Sequence, residues 1–86
     1  PVLLVARSGL GTLNHTLLSL EALRHRQIPV LGVLLNGPPH ANNAATLEQL
    51  GGGVPVLGCL PPLERINATT LAEQWQRLDL SHKLCP

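Results

Sequence analysis

Three unbroken apolar runs alternate with segments in which apolar residues recur at helical spacing. The runs have no polar alternation, which is typical of strands that are covered on both faces of a parallel sheet. The predicted strands are Val2–Val5, Val30–Leu35 and Val54–Leu60. The predicted helices are Thr12–Arg26, His40–Leu50 and Asn67–Leu78. This β-α-β-α-β-α order predicts an α/β fold, a parallel sheet with right-handed crossovers and flanking helices.

Leucine stripes predict which helix faces are buried. The stripes are Leu13, Leu17 and Leu20 in the first helix and Leu71, Trp75 and Leu78 in the last. Trp75 is therefore predicted to pack against the core, and Asn67 to cap its helix. Residues 79–86 are predicted to be a helix end followed by frayed chain, so that residues 1–78 form the domain and 79–86 its tail.

Composition limits the size of the core. The 86 residues contain 44% apolar residues but only one aromatic, Trp75, and no Phe, Tyr or Met. Three strands make a thin sheet, and Pro1 directly precedes the first of them. We therefore expect the chain to be part of a larger domain.

Charge and cysteine content argue against several classes of function. The net charge is +1 with scattered basic residues, so binding to nucleic acid has no electrostatic support. Cys59 and Cys85 match neither a disulfide framework nor a metal pattern, and Cys59 is predicted to be buried. No run reaches the roughly 18 apolar residues of a membrane span. Without a basic leader before the first strand, we expect a cytoplasmic protein.

Polar residues converge where the predicted strands end. Gly9 and Gly11 allow a sharp turn after the first strand, and Ser8 or Thr12 could cap the following helix. The amides of a helix N-terminus bind carboxylate or phosphate. Asn36 ends the second strand, where it suits either a ligand contact or an Asx turn. The glycines at 51–53 follow a helix, so they are read as a C-cap and loop.

No catalytic constellation stands out among the 86 residues. They contain no nucleophile–base pair, paired carboxylates or metal-ligand cluster, and no Gly-x-x-x-x-Gly-Lys-Thr phosphate loop. Patterns and spacing alone predict a binding edge of an α/β domain.

The segment Gly-Leu-Gly-Thr-Leu-Asn-His, at Gly9–His15, resembles the dethiobiotin synthetases of biotin biosynthesis. The resemblance extends to about Leu63. It includes Thr16–Leu18, Leu20–Leu23, Pro29–Val33, Asn36, Thr46–Glu48, Pro55–Gly58 and Pro61. It implies the C-terminal portion of a P-loop NTPase-like, Rossmann-like three-layer domain.

The resemblance also implies a reaction. In the family, one amine of 7,8-diaminononanoate takes up carbon dioxide as a carbamate, ATP with magnesium phosphorylates the carbamate, and the second amine closes the ureido ring with loss of phosphate. Such chemistry depends on positioning and charge neutralisation. The implied assembly is a homodimer.

The implied site residues fall into two groups. The loop that resembles the family's substrate-carboxylate loop consists of Gly9, Leu10, Gly11, Thr12, Leu13 and Asn14. The positions that resemble its ATP adenine and ribose contacts are Asn36, Leu60, Pro61, Pro62, Leu63 and Glu64. Gly37 stands where relatives often carry a polar residue. No catalytic residue and no magnesium ligand is implied in this chain, and both are expected upstream of it.

Two alternatives remain open. One is another P-loop enzyme, such as a cobyrinic acid amide synthase or a MinD-like ATPase, against which the Gly-Thr-Leu-Asn-His turn argues. The other is a non-enzymatic α/β module that binds an anion or a partner without ATP.

Overall fold

A parallel three-stranded sheet lies at the centre of the computed structural model, which describes residues 1–9, 12–38 and 43–84. The strands are β1 (Val2–Arg7), β2 (Val30–Asn36) and β3 (Val56–Leu60), in the order β1-β2-β3. The helices are α1 (Thr12–His25), α2 (Asn43–Leu50), α3 (Ala68–Leu78) and α4 (Leu80–Leu84). The α/β prediction with a parallel sheet is confirmed.

Two leucine-rich clusters cover the two faces of the sheet. The first contains Leu20 of α1, Leu47 of α2, and Val33 and Leu35 of β2. The second contains Leu34 of β2, Leu57 of β3, Leu78 of α3 and Leu80 of α4. Consecutive residues of β2 thus enter opposite clusters, as strand alternation requires. Each fully buried leucine contributes about 1.5–3 kcal/mol to folding.

Helix α3 begins at the predicted cap. The Asn67 side chain accepts a bond from Thr70 N over 2.9 Å, and Thr70 Oγ1 accepts one from Asn67 N over 3.0 Å. This reciprocal capping box satisfies two amides that would otherwise lack partners at the helix start.

The predicted packing of α3 is partly wrong. Leu78 is 5% exposed, but Trp75 is 51% and Leu71 47% exposed. The helix therefore meets the sheet through its last turn. Asp79 then adopts a left-handed conformation, with φ of 53°, and ends the helix.

The chain after Asp79 also differs from the predicted frayed tail. Leu80–Leu84 form α4, and Leu80 is buried in the second cluster beside Leu78. The burial of this one leucine explains why the segment is ordered against the domain. A boundary between a domain and a tail after residue 78 stays a prediction.

Smaller differences concern element ends and Cys59. Helix α1 ends one residue before the predicted Arg26, and β3 begins at Val56 instead of Val54. The predicted start of α2 at His40 lies outside the described residues. Cys59 is a free cysteine and only half-buried, which corrects the prediction that it is buried. Within the described ranges, no helix has the length and apolar character to cross a membrane.

Candidate functional site

The carboxyl ends of the three strands lie side by side, as the sequence predicted. In the parallel register Arg7 pairs with Asn36, and Asn36 pairs with Leu60. The loops that follow the strands therefore begin at the same edge of the sheet. This carboxyl edge, defined as residues 7–9, 36–38 and 60–64, is where open α/β sheets bind ligands.

Backbone hydrogen bonds join the three segments of the carboxyl edge. Ser8 N donates to Asn36 O over 3.1 Å, and Gly37 N donates to Leu60 O over 2.9 Å. The parallel ladder thus continues past the last residue of β1 and of β2. The ladder fixes the relative positions of the loops.

A side-chain hydrogen bond of Ser8 adds a third connection. Ser8 is 1% exposed, and its Oγ donates to Pro38 O over 2.6 Å. The Cβ of any other residue at Gly37 would come within 2.6 Å of the same Oγ, and Gly37 has a φ of +133°. A glycine is therefore required at 37 on both counts. The sequence suggested Ser8 only as a possible helix cap; its proximity to Pro38 follows from the strand register.

The predicted carboxylate loop is described in part. Gly9 is half-buried, and a Cβ at this position would meet no atom within 4 Å from the rest of the described chain, so on that side the backbone is open to approach. Leu10 and Gly11 lie outside the described residues, and the backbone of Thr12 begins α1. Leu13 packs against the first cluster, whereas Asn14 is exposed.

The first turn of α1 is electrostatically suited to an anion. It contains no acidic residue, so no carboxylate of its own offsets the positive end of the helix dipole. Backbone amides at such a helix start can bind an external anion.

The predicted adenine-side residues lie at the ends of β2 and β3. Asn36 is exposed, and its carboxamide has no hydrogen-bond partner among the described residues. Beside it, Leu60, Pro61 and Leu63 are half-buried, whereas Pro62 and Glu64 are exposed. This edge thus combines a free amide, which can donate and accept, with a partly covered apolar surface.

A concave surface with a volume of about 170 Å³ lies elsewhere in the molecule. Its lining residues are Leu20, Arg24, Ile28, Pro29, Val30 and Val54. These residues lie near the amino ends of β2 and β3, opposite the carboxyl edge. Arg24 Nη2 already donates to Gly51 O over 2.8 Å, which leaves the guanidinium engaged within the fold.

Acidic and sulfur ligands do not gather at the carboxyl edge. In the ranges that the structure describes, no group of three or more His, Cys, Asp or Glu side chains is placed to hold a metal ion. Cys59 Sγ donates instead to Gly37 O over 3.3 Å, another contact between β3 and the loop after β2.

Two cationic side chains that the sequence analysis missed contact the outer side of β3. Arg77 Nη2 donates to Cys59 O, and Lys83 Nζ donates to Leu57 O over 2.6 Å. Both come from the segment of α3 and α4. In the sequence, these two residues are recognisable only as basic residues near helix ends. That position does not predict a hydrogen bond to a strand carbonyl 18 residues away, as for Arg77, or 26 residues away, as for Lys83.

Comparison with known proteins identifies relatives along the whole chain. The model of the AAA domain matches residues 1–70. The chain is 51% identical over all its 86 residues to the biotin biosynthesis bifunctional protein BioCD of Bordetella avium strain 197N, of which it covers 17%. No solved structure matches it significantly.

Relatives named as dethiobiotin synthetases are similar to the same degree. The chain is 50% identical over 72 residues to the ATP-dependent dethiobiotin synthetase BioD of Paramagnetospirillum magneticum strain AMB-1, with 84% of the chain and 35% of the relative covered. Identity to the BioD of Rhodopseudomonas palustris strain HaA2 is 51% over 71 residues, with 83% and 33% covered. The chain spans about a third of the length of these synthetases. It belongs to the AAA domain family, with the P-loop NTPase-like α/β fold, and its homologues there are dethiobiotin synthetases.

Proposed function

We propose that this chain is the C-terminal portion of an ATP-dependent dethiobiotin synthetase, a ligase of biotin biosynthesis. The whole enzyme converts 7,8-diaminononanoate, carbon dioxide and ATP to dethiobiotin. The observation that carries the proposal is an identity of about 50% to several dethiobiotin synthetases over most of the chain. The strand order and the carboxyl edge agree with a nucleotide-binding α/β domain.

The first contribution of the chain is to bind the carboxylate of 7,8-diaminononanoate at residues 9–14. The open backbone at Gly9, the start of α1 without an acidic residue, and the exposed Asn14 support this role. Amides at a helix N-terminus stabilise a carboxylate by charge-assisted hydrogen bonds and by the helix dipole. In the homodimer that we propose, this loop serves the site of the partner subunit.

The second contribution is to bind the adenosine of ATP. The carboxamide of Asn36 can donate to and accept from the edge of adenine, a pairing that the same group makes with adenine in nucleic acids. Leu60, Pro61 and Leu63 offer an apolar surface to the ring, and the exposed Glu64 can accept from ribose hydroxyls.

The remaining chemistry is assigned to polypeptide outside these 86 residues. ATP supplies the phosphoryl group that activates the carbamate, and magnesium neutralises charge on the phosphates. No phosphate loop occurs in the sequence, and no acidic cluster occurs among the described residues. We accordingly propose that the chain alone is inactive. We also propose a cytoplasmic location for the whole enzyme.

An assay of the full-length protein that contains this chain tests the proposal. Purified enzyme is expected to form dethiobiotin and release phosphate only when 7,8-diaminononanoate, bicarbonate, ATP and magnesium are all present. Its gene should also restore growth of a bacterium that lacks dethiobiotin synthetase on medium without biotin. ATP hydrolysis that is independent of 7,8-diaminononanoate, with no dethiobiotin formed, would refute the proposal.

A further inference from the structure

The outer edge of β3 contacts side chains instead of another strand in the described chain. Leu60 O accepts from Gly37 N and so faces β2. Carbonyls alternate in direction along a strand, so those of Leu57 and Cys59 face away from β2. These two outward carbonyls are the ones that accept from Lys83 Nζ and Arg77 Nη2.

Apolar packing brings the two cations to these carbonyls. Leu78 lies so close to β3 that a Cβ at Gly58 would fall 2.5 Å from Leu78 Cδ2. Leu80, on α4, is buried beside it. Three consecutive residues of β3 thus contact the α3–α4 segment: Leu57 through Lys83, Gly58 through Leu78, and Cys59 through Arg77.

The Arg77 guanidinium is itself oriented. Its Nε donates to Gln74 Oε1 over 2.9 Å, one turn earlier in α3, while Nη2 donates to Cys59 O. Because the guanidinium is planar and rigid, its two hydrogen bonds are held in one geometry. Less conformational entropy is then lost for each bond that forms.

We propose that Arg77 and Lys83 are positioning residues for nucleotide binding, because they fix the end of β3 from which Leu60–Glu64 continues. Cys59 is the residue before Leu60, and Leu60 O bonds the amide of Gly37 beside Asn36. Fixing the Cys59 carbonyl therefore restrains both segments that are predicted to contact adenosine, the one that contains Asn36 and the one at Leu60–Glu64. This inference rests on the proposed function, and it adds a role for the α3–α4 segment, which contains none of the predicted site residues.

The test compares Arg77→Ala with the full-length wild-type enzyme, and Lys83→Ala serves as a second variant. We expect Arg77→Ala to raise the KM for ATP about three- to fivefold, the size of effect of an exposed charged contact. The KM for 7,8-diaminononanoate should stay unchanged, because α1 does not depend on Arg77. Arg77→Lys should recover part of the loss, since an ammonium can still donate to the carbonyl.

A matched control is Arg26→Ala, which removes the same charge from an exposed turn after α1. It should leave both KM values at the wild-type level. Equal increases in both KM values for Arg77→Ala, or the same result in the control, would overturn the proposal.

Hydrogen exchange at the Gly37 amide provides a readout that needs no catalysis. Arg77→Ala should accelerate this exchange, because the acceptor Leu60 O becomes less restrained, while Arg26→Ala should not. Unchanged exchange in both Arg77→Ala and Lys83→Ala would overturn the positioning role even in a stable protein. If the wild-type enzyme made no dethiobiotin, the proposed function would fail, and the exchange result would still decide whether these residues restrain the end of β3.

Discussion

Replacing Ser8 by alanine removes the hydroxyl that joins the first two segments of the carboxyl edge. Ser8 is 1% exposed, and its Oγ donates to Pro38 O over 2.6 Å. A neutral hydrogen bond contributes about 0.5–1.5 kcal/mol net to folding, and more when its loss leaves a buried partner unsatisfied. Because Pro38 is an exposed residue and the bond is only partly buried, the expected loss is ~1 kcal/mol.

Thermal or urea unfolding of the full-length protein measures this loss. In a domain of about 150–250 residues, ~1 kcal/mol lowers the melting temperature by about 2–4 °C. The KM for ATP should also rise, because the segment that carries Asn36 loses one of its connections. The loss of unfolding free energy caused by Ser8→Ala should be the same in the absence of 7,8-diaminononanoate and at a low concentration of it.

Ser19→Ala is the matched control for this substitution. Ser19 Oγ donates to His15 O over 2.9 Å within α1, but the side chain is exposed. Alanine is the better helix former, so the control should keep or slightly raise the free energy of unfolding. If Ser8→Ala proved as stable as Ser19→Ala and bound ATP as tightly as wild type, the Ser8 hydroxyl would not hold the carboxyl edge together.

The strands were predictable from the sequence because their signal is local and strong. An apolar run such as Val30–Leu35 without polar alternation fits a strand covered on both faces, and the structure buries Val33, Leu34 and Leu35. The Asn67 cap was predictable for the same reason, since its partner Thr70 is only three residues away. The convergence of the strand ends followed from the parallel order alone.

The position of Trp75 could not be predicted from its helical spacing. Periodicity says that Leu71, Trp75 and Leu78 share a face, but not how much of that face another element covers. In the described chain, α3 meets the sheet at Leu78, and the chain then turns so that Leu80 fills the adjacent space. The burial of Leu80 could not be predicted from periodicity either, because Leu80 follows the left-handed Asp79 and continues no helical repeat.

The contacts that organise the carboxyl edge were also beyond sequence reasoning, because they join distant parts of the chain. Ser8 and Pro38 are 30 residues apart, and Arg77 and Cys59 are 18 apart. Their proximity depends on the strand register and on where α3 crosses the sheet. The specific roles of the site residues came from a family resemblance, and these roles stay predictions.

Three further predictions concern the predicted loop and the isolated chain. Asn14→Ala in the full-length enzyme should raise the KM for 7,8-diaminononanoate and leave the KM for ATP unchanged. The substitution removes a substrate contact that is remote from the phosphoryl group. If steady-state kinetics showed a raised KM for ATP and an unchanged KM for 7,8-diaminononanoate, the assignment would be wrong. The 86-residue chain alone should show no magnesium-dependent ATP turnover in a phosphate-release assay, because it contains no phosphate loop to hold the β- and γ-phosphates. The isolated chain should also be marginally stable or self-associate, because β1 is an edge strand of the described sheet and its Val5 is 55% exposed. The unpaired amides and carbonyls of the β1 edge, beside exposed apolar side chains, favour pairing with a strand of another molecule. The β3 edge is less available for such pairing, because Arg77 and Lys83 already contact its outer carbonyls. Sedimentation should therefore detect oligomers that grow with concentration, and a monomer with a cooperative melting transition above about 65 °C would contradict this reasoning.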